Sequence, residues 1–231
     1  MSIMYDGKKL VLFDIDGTLI SAGGAGTRSL NLAFQSLFSI TDAFMNISMA
    51  GKTDPQIISE GLRLNDLPHR DGNVDRMIEM YLKFLHREIN NPDRHLMPGI
   101  KEALDLLCKK EMPLGLLTGN LKRGAEIKLG PFGIYDYFLD GAFGSDDDDR
   151  DKLLPIALEK FRQKGWRFSP KDCIVVGDTP RDVQCAKIHG AYCIAVATGP
   201  YSKEDLLQTD ADIVLDSLQE TETYMNFIKS C

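Results

Sequence analysis

Cysteine is scarce and scattered in this sequence. Its five cysteines (Cys108, Cys173, Cys185, Cys193 and Cys231) are odd in number and form no CxxC pair, which argues against a disulfide framework and against the usual zinc spacings. They read as reduced, mostly core thiols of a reducing compartment, so a cytoplasmic location is expected. Histidine is equally thin, with four dispersed residues. No run approaches the roughly 18 unbroken apolar residues of a membrane helix. The opening stretch MSIMYDGKKLVLFDIDG lacks a basic segment followed by a long apolar run and a small-residue cleavage site, so no secretory signal is expected in it. Basic charge is in deficit: 27 Lys and Arg against 34 Asp and Glu leave a net charge of −7. An acidic surface is a poor partner for nucleic acid or an anionic membrane. A small anionic substrate is still compatible with it, through a locally positive pocket. Internal repeats and low-complexity tracts are missing too. What remains is ordinary for a globular chain: 231 residues, 43% hydrophobic and 26% charged. That suffices for one large core, or for a core domain with a small insert.

Short apolar runs alternate with amphipathic patterns. Leu10 to Phe13, Leu114 to Leu117, Phe138 to Ala142, Ile174 to Val176, Ile194 to Val196 and Ile213 to Leu215 read as strands. GIKEALDLLCKK, DKLLPIALEKFRQK and RDVQCAKIHG read as helices, with Ile100, Leu104 and Leu107 at helical spacing. Buried apolar strands joined by crossover helices predict an α/β fold with a doubly wound parallel sheet, a Rossmann-like core. From Gly24 to about Arg94 the rhythm stops. AGTRSLNLAFQSLFSI, DPQIISEGLRL and NVDRMIEMYLKFLHREI are helical patterns with no convincing strand between them. Roughly 70 residues far exceed the usual connection of about 2–6. The expectation is an inserted helical subdomain over 22–95, with 1–21 and 96–231 forming the core. Ala22-Gly23-Gly24 would be its hinge, and Asn91-Pro92 and Met97-Pro98-Gly99 punctuate its exit.

The strongest chemical signal is VLFDIDGTLI, residues 11–20. A hydrophobic strand runs into Asp14 and Asp16, and in an open parallel sheet the ligand site lies beyond the strand carboxyl ends. Strand alternation would point both carboxylates to one side. Two such charges repel unless they share a cation or a proton, and a hard divalent ion such as Mg2+ would relieve them. Gly17 permits the tight turn that keeps the site open. The second signal is PLGLLTGN, residues 113–120: Thr118 offers a hydroxyl, Gly119 lets backbone amides approach an anion, and Asn120 would cap the next helix. Together they outline a phosphate cradle. The third is CIVVGDTPRDVQCA, residues 173–186, where Asp178 and Asp182 would project from neighbouring turns and Asp178 would add a third carboxylate to the ion. Carboxylates and a phosphate together leave excess negative charge, so a cation should come close. Arg150 and Lys152, following the acidic run Asp146 to Asp149, are both candidates.

These parts, in this order, resemble the haloacid dehalogenase-like hydrolase superfamily. Its first motif, DxDGT and an apolar residue, is matched by Asp14, Asp16, Gly17, Thr18 and Leu19; its second by Thr118; its fourth, GDxxxD, by Gly177, Asp178 and Asp182. The third, a Lys or Arg often written Lys-Pro, is matched loosely by Arg150 or Lys152. The likeness spans nearly the whole chain and is greatest to phosphoglycolate-phosphatase-like members with a helical cap. The resemblance implies that Asp14 is a nucleophile forming an aspartyl-phosphate and that Asp16 is the general acid, then the base. It implies Mg2+ held by Asp14, Asp178 and the Asp16 main-chain carbonyl, with Asp182 in support. Thr118, Gly119 and Asn120, with Arg150 or Lys152, would hold the phosphoryl group of a small phosphorylated substrate. A monomer or a homodimer fits equally.

Asp16 sorts the reactions. Members that displace halide, or that cleave phosphonoacetaldehyde through a cap lysine such as Lys52, lack this second aspartate. A phosphomutase shares both aspartates, but its cap Arg and Ser pattern is not seen around 49–58. A non-catalytic phospho-ligand binding module is the other alternative. Gly51-Lys52-Thr53 resembles only the tail of a nucleotide-binding P-loop. It reads better as a turn before a helix with Asp54 as cap and Pro55 at the first helical position. Lys52 and Arg28 are candidates to reach substrate from the insert.

Overall fold

The computed structural model describes residues 7–69 and 72–231; the stretch 1–6 of the expected core lies outside it. Strand β1 (Leu10–Phe13) leads through a turn into the two-residue strand β2 (Ile20–Ser21). Three helices follow, α1 (Ala25–Phe38), α2 (Asp54–Leu64) and α3 (Asn73–Glu88), before β3 (His95–Leu96) returns the chain to the core. From there helices and strands alternate: α4 (Ile100–Lys109), β4 (Leu114–Thr118), α5 (Lys122–Leu129), β5 (Asp140–Phe143), α6 (Leu153–Gln163), β6 (Cys173–Gly177) and α7 (Pro180–Lys187). The chain closes with β7 (Tyr192–Val196), α8 (Lys203–Leu206), β8 (Ile213–Leu215) and α9 (Thr221–Ser230).

The large sheet has six strands in the order β5-β4-β1-β6-β7-β8. Every pairing in it is parallel. This is the doubly wound α/β arrangement expected from the apolar runs. Alternation along β1 explains its two packed faces. Val11 and Phe13 join Leu114, Leu116, Ile174 and Val176 on one side, while Leu10 and Leu12 join Leu117, Val175, Leu154 and Phe161 on the other. Each such aliphatic or aromatic side chain taken from water contributes about 1.5–3 kcal/mol.

Chain order reverses beside β1, whose neighbours are β4 on one side and β6 on the other. That reversal opens a crevice at the carboxyl ends of the three central strands. The short strands β2 and β3 pair antiparallel, Ile20 with Leu96 and Ser21 with His95. They tie together the two ends of the helical insert. Asn91 Nδ2 donates to the Ala22 carbonyl at 3.0 Å and reinforces the tie. Phe34, Phe44, Met77, Tyr81 and Leu85 of the insert are buried in a cluster continuous with one face of the sheet.

Candidate active site

Asp14 follows β1, Thr118 ends β4 and Asp178 follows β6, so the crevice collects all three. Asp182 joins from the first turn of α7, whose N-terminus is fixed by a reciprocal pair of bonds between Thr179 and Asp182. Carboxylate oxygens of Asp14, Asp178 and Asp182 all lie within 4.8 Å of one another, and all three residues are buried. Arg150 reaches them from a single helical turn, Arg150–Lys152, that precedes α6. Its Nη2 donates to Asp14 Oδ1 at 3.0 Å and also to Asp182 Oδ1. Burial pushes the Asp14 carboxyl up to about 6; Arg150 and a hydrogen bond from Thr118 pull the other way, while Asp182 and Asp16 push it further. Burial, then the charges of Asp182 and Asp14, raise Asp178 well above the usual carboxylate range.

Crowded, dry carboxylates of this kind suit a hard cation, since every donor is oxygen. The backbone leaves Asp178 room for nothing larger than glycine. Gly17 has φ +85°, and a Cβ there would stand 2.4 Å from Asp178 Oδ2; at Gly199 it would stand 1.7 Å away. Thr18 Oγ1 donates to Asp178 Oδ1 at 2.9 Å, fixing the carboxylate in that cradle. The residues present therefore fit a divalent metal ion.

Asp16 departs from expectation. Its carboxylate does not join the metal-type cluster. The chain leaves the extended conformation after Phe13, and a turn bridging Asp16 to Ile20 swings the second aspartate aside, so strand alternation no longer applies. Asp16 Oδ2 instead accepts from Lys128 Nζ at 2.6 Å and from Asn120 Nδ2 at 2.9 Å. Lys128, on α5, had no place in the sequence argument. It is buried, and its Nζ also donates to Asn120 Oδ1 at 2.6 Å. A basic residue in the last turn of a helix is ordinarily a partner for the helix dipole, so the sequence carries no signal for it.

Three further expectations are corrected. Lys152 is turned away: its side chain is 60% exposed and its amine pairs with Asp147 at 3.3 Å. Asn120 does not cap α5, where Leu121 holds that position without a side-chain bond; its amide is spent on Asp16, Thr118 and Lys128. Thr53, not Asp54, caps α2, accepting from Gln56 N at 3.3 Å. Asp54 is thereby freed to accept from Leu121 N at 2.9 Å, which fastens the insert to the loop after β4. Gly119 serves the same junction, for a Cβ there would lie 2.2 Å from the Lys52 carbonyl oxygen. Of the two candidates to reach substrate from the insert, Arg28 is tied to Glu88 and the Gly23 carbonyl, while Lys52 lines the cavity but pairs with Glu60.

The crevice is a cavity of about 350 Å3. Asp14, Asp16, Gly119, Asn120, Lys128, Arg150 and Asp178 line it from the core, and Thr27, Met49, Ile57 and Tyr81 line it from the insert. The model of one hydrolase family, described as haloacid dehalogenase-like hydrolase, matches residues 8–190. The chain belongs to that family. The hydrolase is 26% identical over 221 residues to a phosphoglycolate phosphatase of Vibrio vulnificus, covering 92% of this chain and 93% of the relative. A predicted phosphoglycolate phosphatase from Haemophilus somnus has a similar solved structure, with TM-score 0.71, 18% identity and coverage of 95% and 98% of the two chains. CbbY from Rhodobacter sphaeroides, solved in complex with phosphate, gives TM-score 0.73 at 18% identity, covering 92% and 96%. Among the described residues of the hydrolase, no helix is long and apolar enough to cross a membrane.

Proposed function

We propose that the hydrolase is a Mg2+-dependent phosphatase that acts on a small phosphorylated metabolite through an aspartyl-phosphate on Asp14. One observation carries this reading: Asp14 stands on the cavity wall between a buried guanidinium and two further buried carboxylates. The Arg150 guanidinium 3.0 Å from Asp14 Oδ1 favours the ionised carboxylate, which suits a nucleophile. As the bond from Asp14 to phosphorus forms, the ester P–O bond breaks and the leaving alkoxide takes a proton from Asp16. Water then attacks phosphorus, the bond from phosphorus to the Asp14 oxygen breaks and returns the carboxylate, Asp16 takes the water's proton, and inorganic phosphate leaves.

Thr118, the Gly119 amide and Arg150 hold the phosphoryl oxygens in this scheme. Among the described residues no acceptor meets the buried Nε–H of Arg150, so a donor is left for an anion. Asp182 shares its carboxylate between Arg150 and Thr179 and keeps the guanidinium in place. Asp14, Asp178 and the Asp16 main-chain carbonyl would hold Mg2+, which would supply positive charge to the transferring group. The insert over 22–95 acts as a cap that excludes water and selects substrate. The phosphoglycolate phosphatases among the relatives and the 350 Å3 cavity favour a short alkyl phosphate of that kind. Unpaired thiols throughout favour the cytoplasm.

The test is single-turnover chemistry with a labelled phosphate ester, quenched in acid. Label is expected on Asp14 in the wild type, and chelation should suppress it. Asp14→Asn should carry no label and lose at least roughly 10³-fold in turnover, since it lacks the attacking group. Wild-type turnover in that variant would defeat the assignment.

A further inference from the structure

We propose that Lys128 is a positioning residue for Asp16. With Asn120 it pins one carboxylate oxygen and leaves the other to face the leaving group of the substrate. The inference rests on Asp16 being the general acid of the proposed phosphatase. Among the described residues both donors to the Asp16 side chain, Lys128 Nζ and Asn120 Nδ2, converge on the same oxygen, Oδ2. Oδ1 accepts no hydrogen bond from any described residue, and Asp16 lines the cavity with 43% of its side chain exposed. An oxygen that already accepts from an ammonium and an amide has little capacity left for a proton. The transferable proton therefore belongs on Oδ1, on the open side.

Lys128 is built for this task. Only 5% of its side chain is exposed, so its ammonium has little water to compete with Asp16. The Asp16 carboxylate at 2.6 Å compensates the ammonium for its burial. A second bond, to Asn120 Oδ1 at 2.6 Å, fixes the ammonium from the other side. Asn120 is in turn anchored by donating to Thr118 Oγ1 at 2.9 Å. The chain of contacts thus runs from the phosphate cradle to the acid. The same ammonium faces the insert, where a Cβ on Gly26 would stand 3.8 Å from Nζ.

Leaving-group dependence separates positioning from mere support. An alkyl alkoxide needs its proton as the P–O bond breaks, whereas p-nitrophenolate departs without one. The experiment compares kcat/KM for 2-phosphoglycolate and p-nitrophenyl phosphate, which reports the steps up to the first irreversible one. Lys128→Met should lose on the order of 10²-fold on the alkyl ester and far less on the aryl ester. Should that variant not fold, Lys128→Gln keeps the stem and an N–H donor and should show the same selectivity at smaller size. Equal losses on the two esters, or no loss, in a folded variant would overturn the proposal. Asp16→Asn is the control. If it shows the selectivity and Lys128→Met does not, only the role of Lys128 fails. If Asp16→Asn shows none, the acid itself is misassigned.

Discussion

Arg150 and Lys152 stand two positions apart on one helical turn and meet opposite surroundings. Arg150 is 5% exposed against Asp14 and Asp182; Lys152 is 60% exposed beside Asp147. Removing a buried cation strands its partners, which costs about 3–5 kcal/mol. Arg150→Met should lose that much stability in urea unfolding of metal-free protein, together with the ability to bind phosphate. Lys152→Ala should stay within about 0.5 kcal/mol, as an exposed pair in water does. A reversed ranking would mean that the guanidinium is not the site's cation. The sequence offered both residues because nothing in DDRDKLLP reveals a three-residue turn, and the turn decides which side chain faces inward. Asp14, Thr118, Asp178 and Asp182 were legible for a simpler reason: each follows or ends an apolar strand, or opens the helix after one. The orientation of Asp16 and the arrival of Lys128 were not legible. One depends on a turn, the other on how α5 packs.

At the scale of elements, the six strands of the main sheet are visible as apolar runs. Two-residue strands such as β2 and β3 are too short to show any period. Their partnership is a tertiary fact, set by the return of the insert to its starting point. The start of α2 shows how local rules can be right in kind and wrong by one residue. Thr53 and Asp54 are both good caps, and the structure uses them differently. Thr53 closes a reciprocal bond pair with Gln56 and donates to the Asp148 carbonyl at 2.9 Å. Asp54 reaches across to the core. Thr53→Ala removes a cap and a contact between insert and core together. A loss of about 1–2 kcal/mol is expected in thermal or urea unfolding. KM should rise more than kcat falls, because the loosened element lines the cavity without touching Asp14. An unchanged KM would show that the junction at α2 has no part in closing the cavity.

The whole molecule stores a cost at this junction, and that cost depends on pH. Burial raises the Asp54 carboxyl to about 6 from an ordinary 3.8, with Lys128 and the Leu121 amide pulling it down and Asp16 pushing it up. The folded state therefore keeps a proton that the unfolded chain releases at lower pH. The stabilising contribution is complete below the unfolded value and is lost as pH rises through about 6. Across that window the native state forfeits up to about 3 kcal/mol, at about 1.4 kcal/mol per pKa unit. Asn in place of Asp54 still accepts from the Leu121 amide but cannot ionise. Asp54→Asn should therefore gain on the wild type as pH rises from 4 to 7.5, by about 1–3 kcal/mol in urea unfolding of metal-free protein. Asp14, which burial also raises to about 6, is common to both chains and largely cancels in the difference. A difference that stays flat with pH would mean that Asp54 is hydrated in the folded chain, so that the contact between insert and core is open in solution. A difference that grows as expected would show instead that the insert meets the core by keeping the Asp54 carboxyl buried beside Lys128.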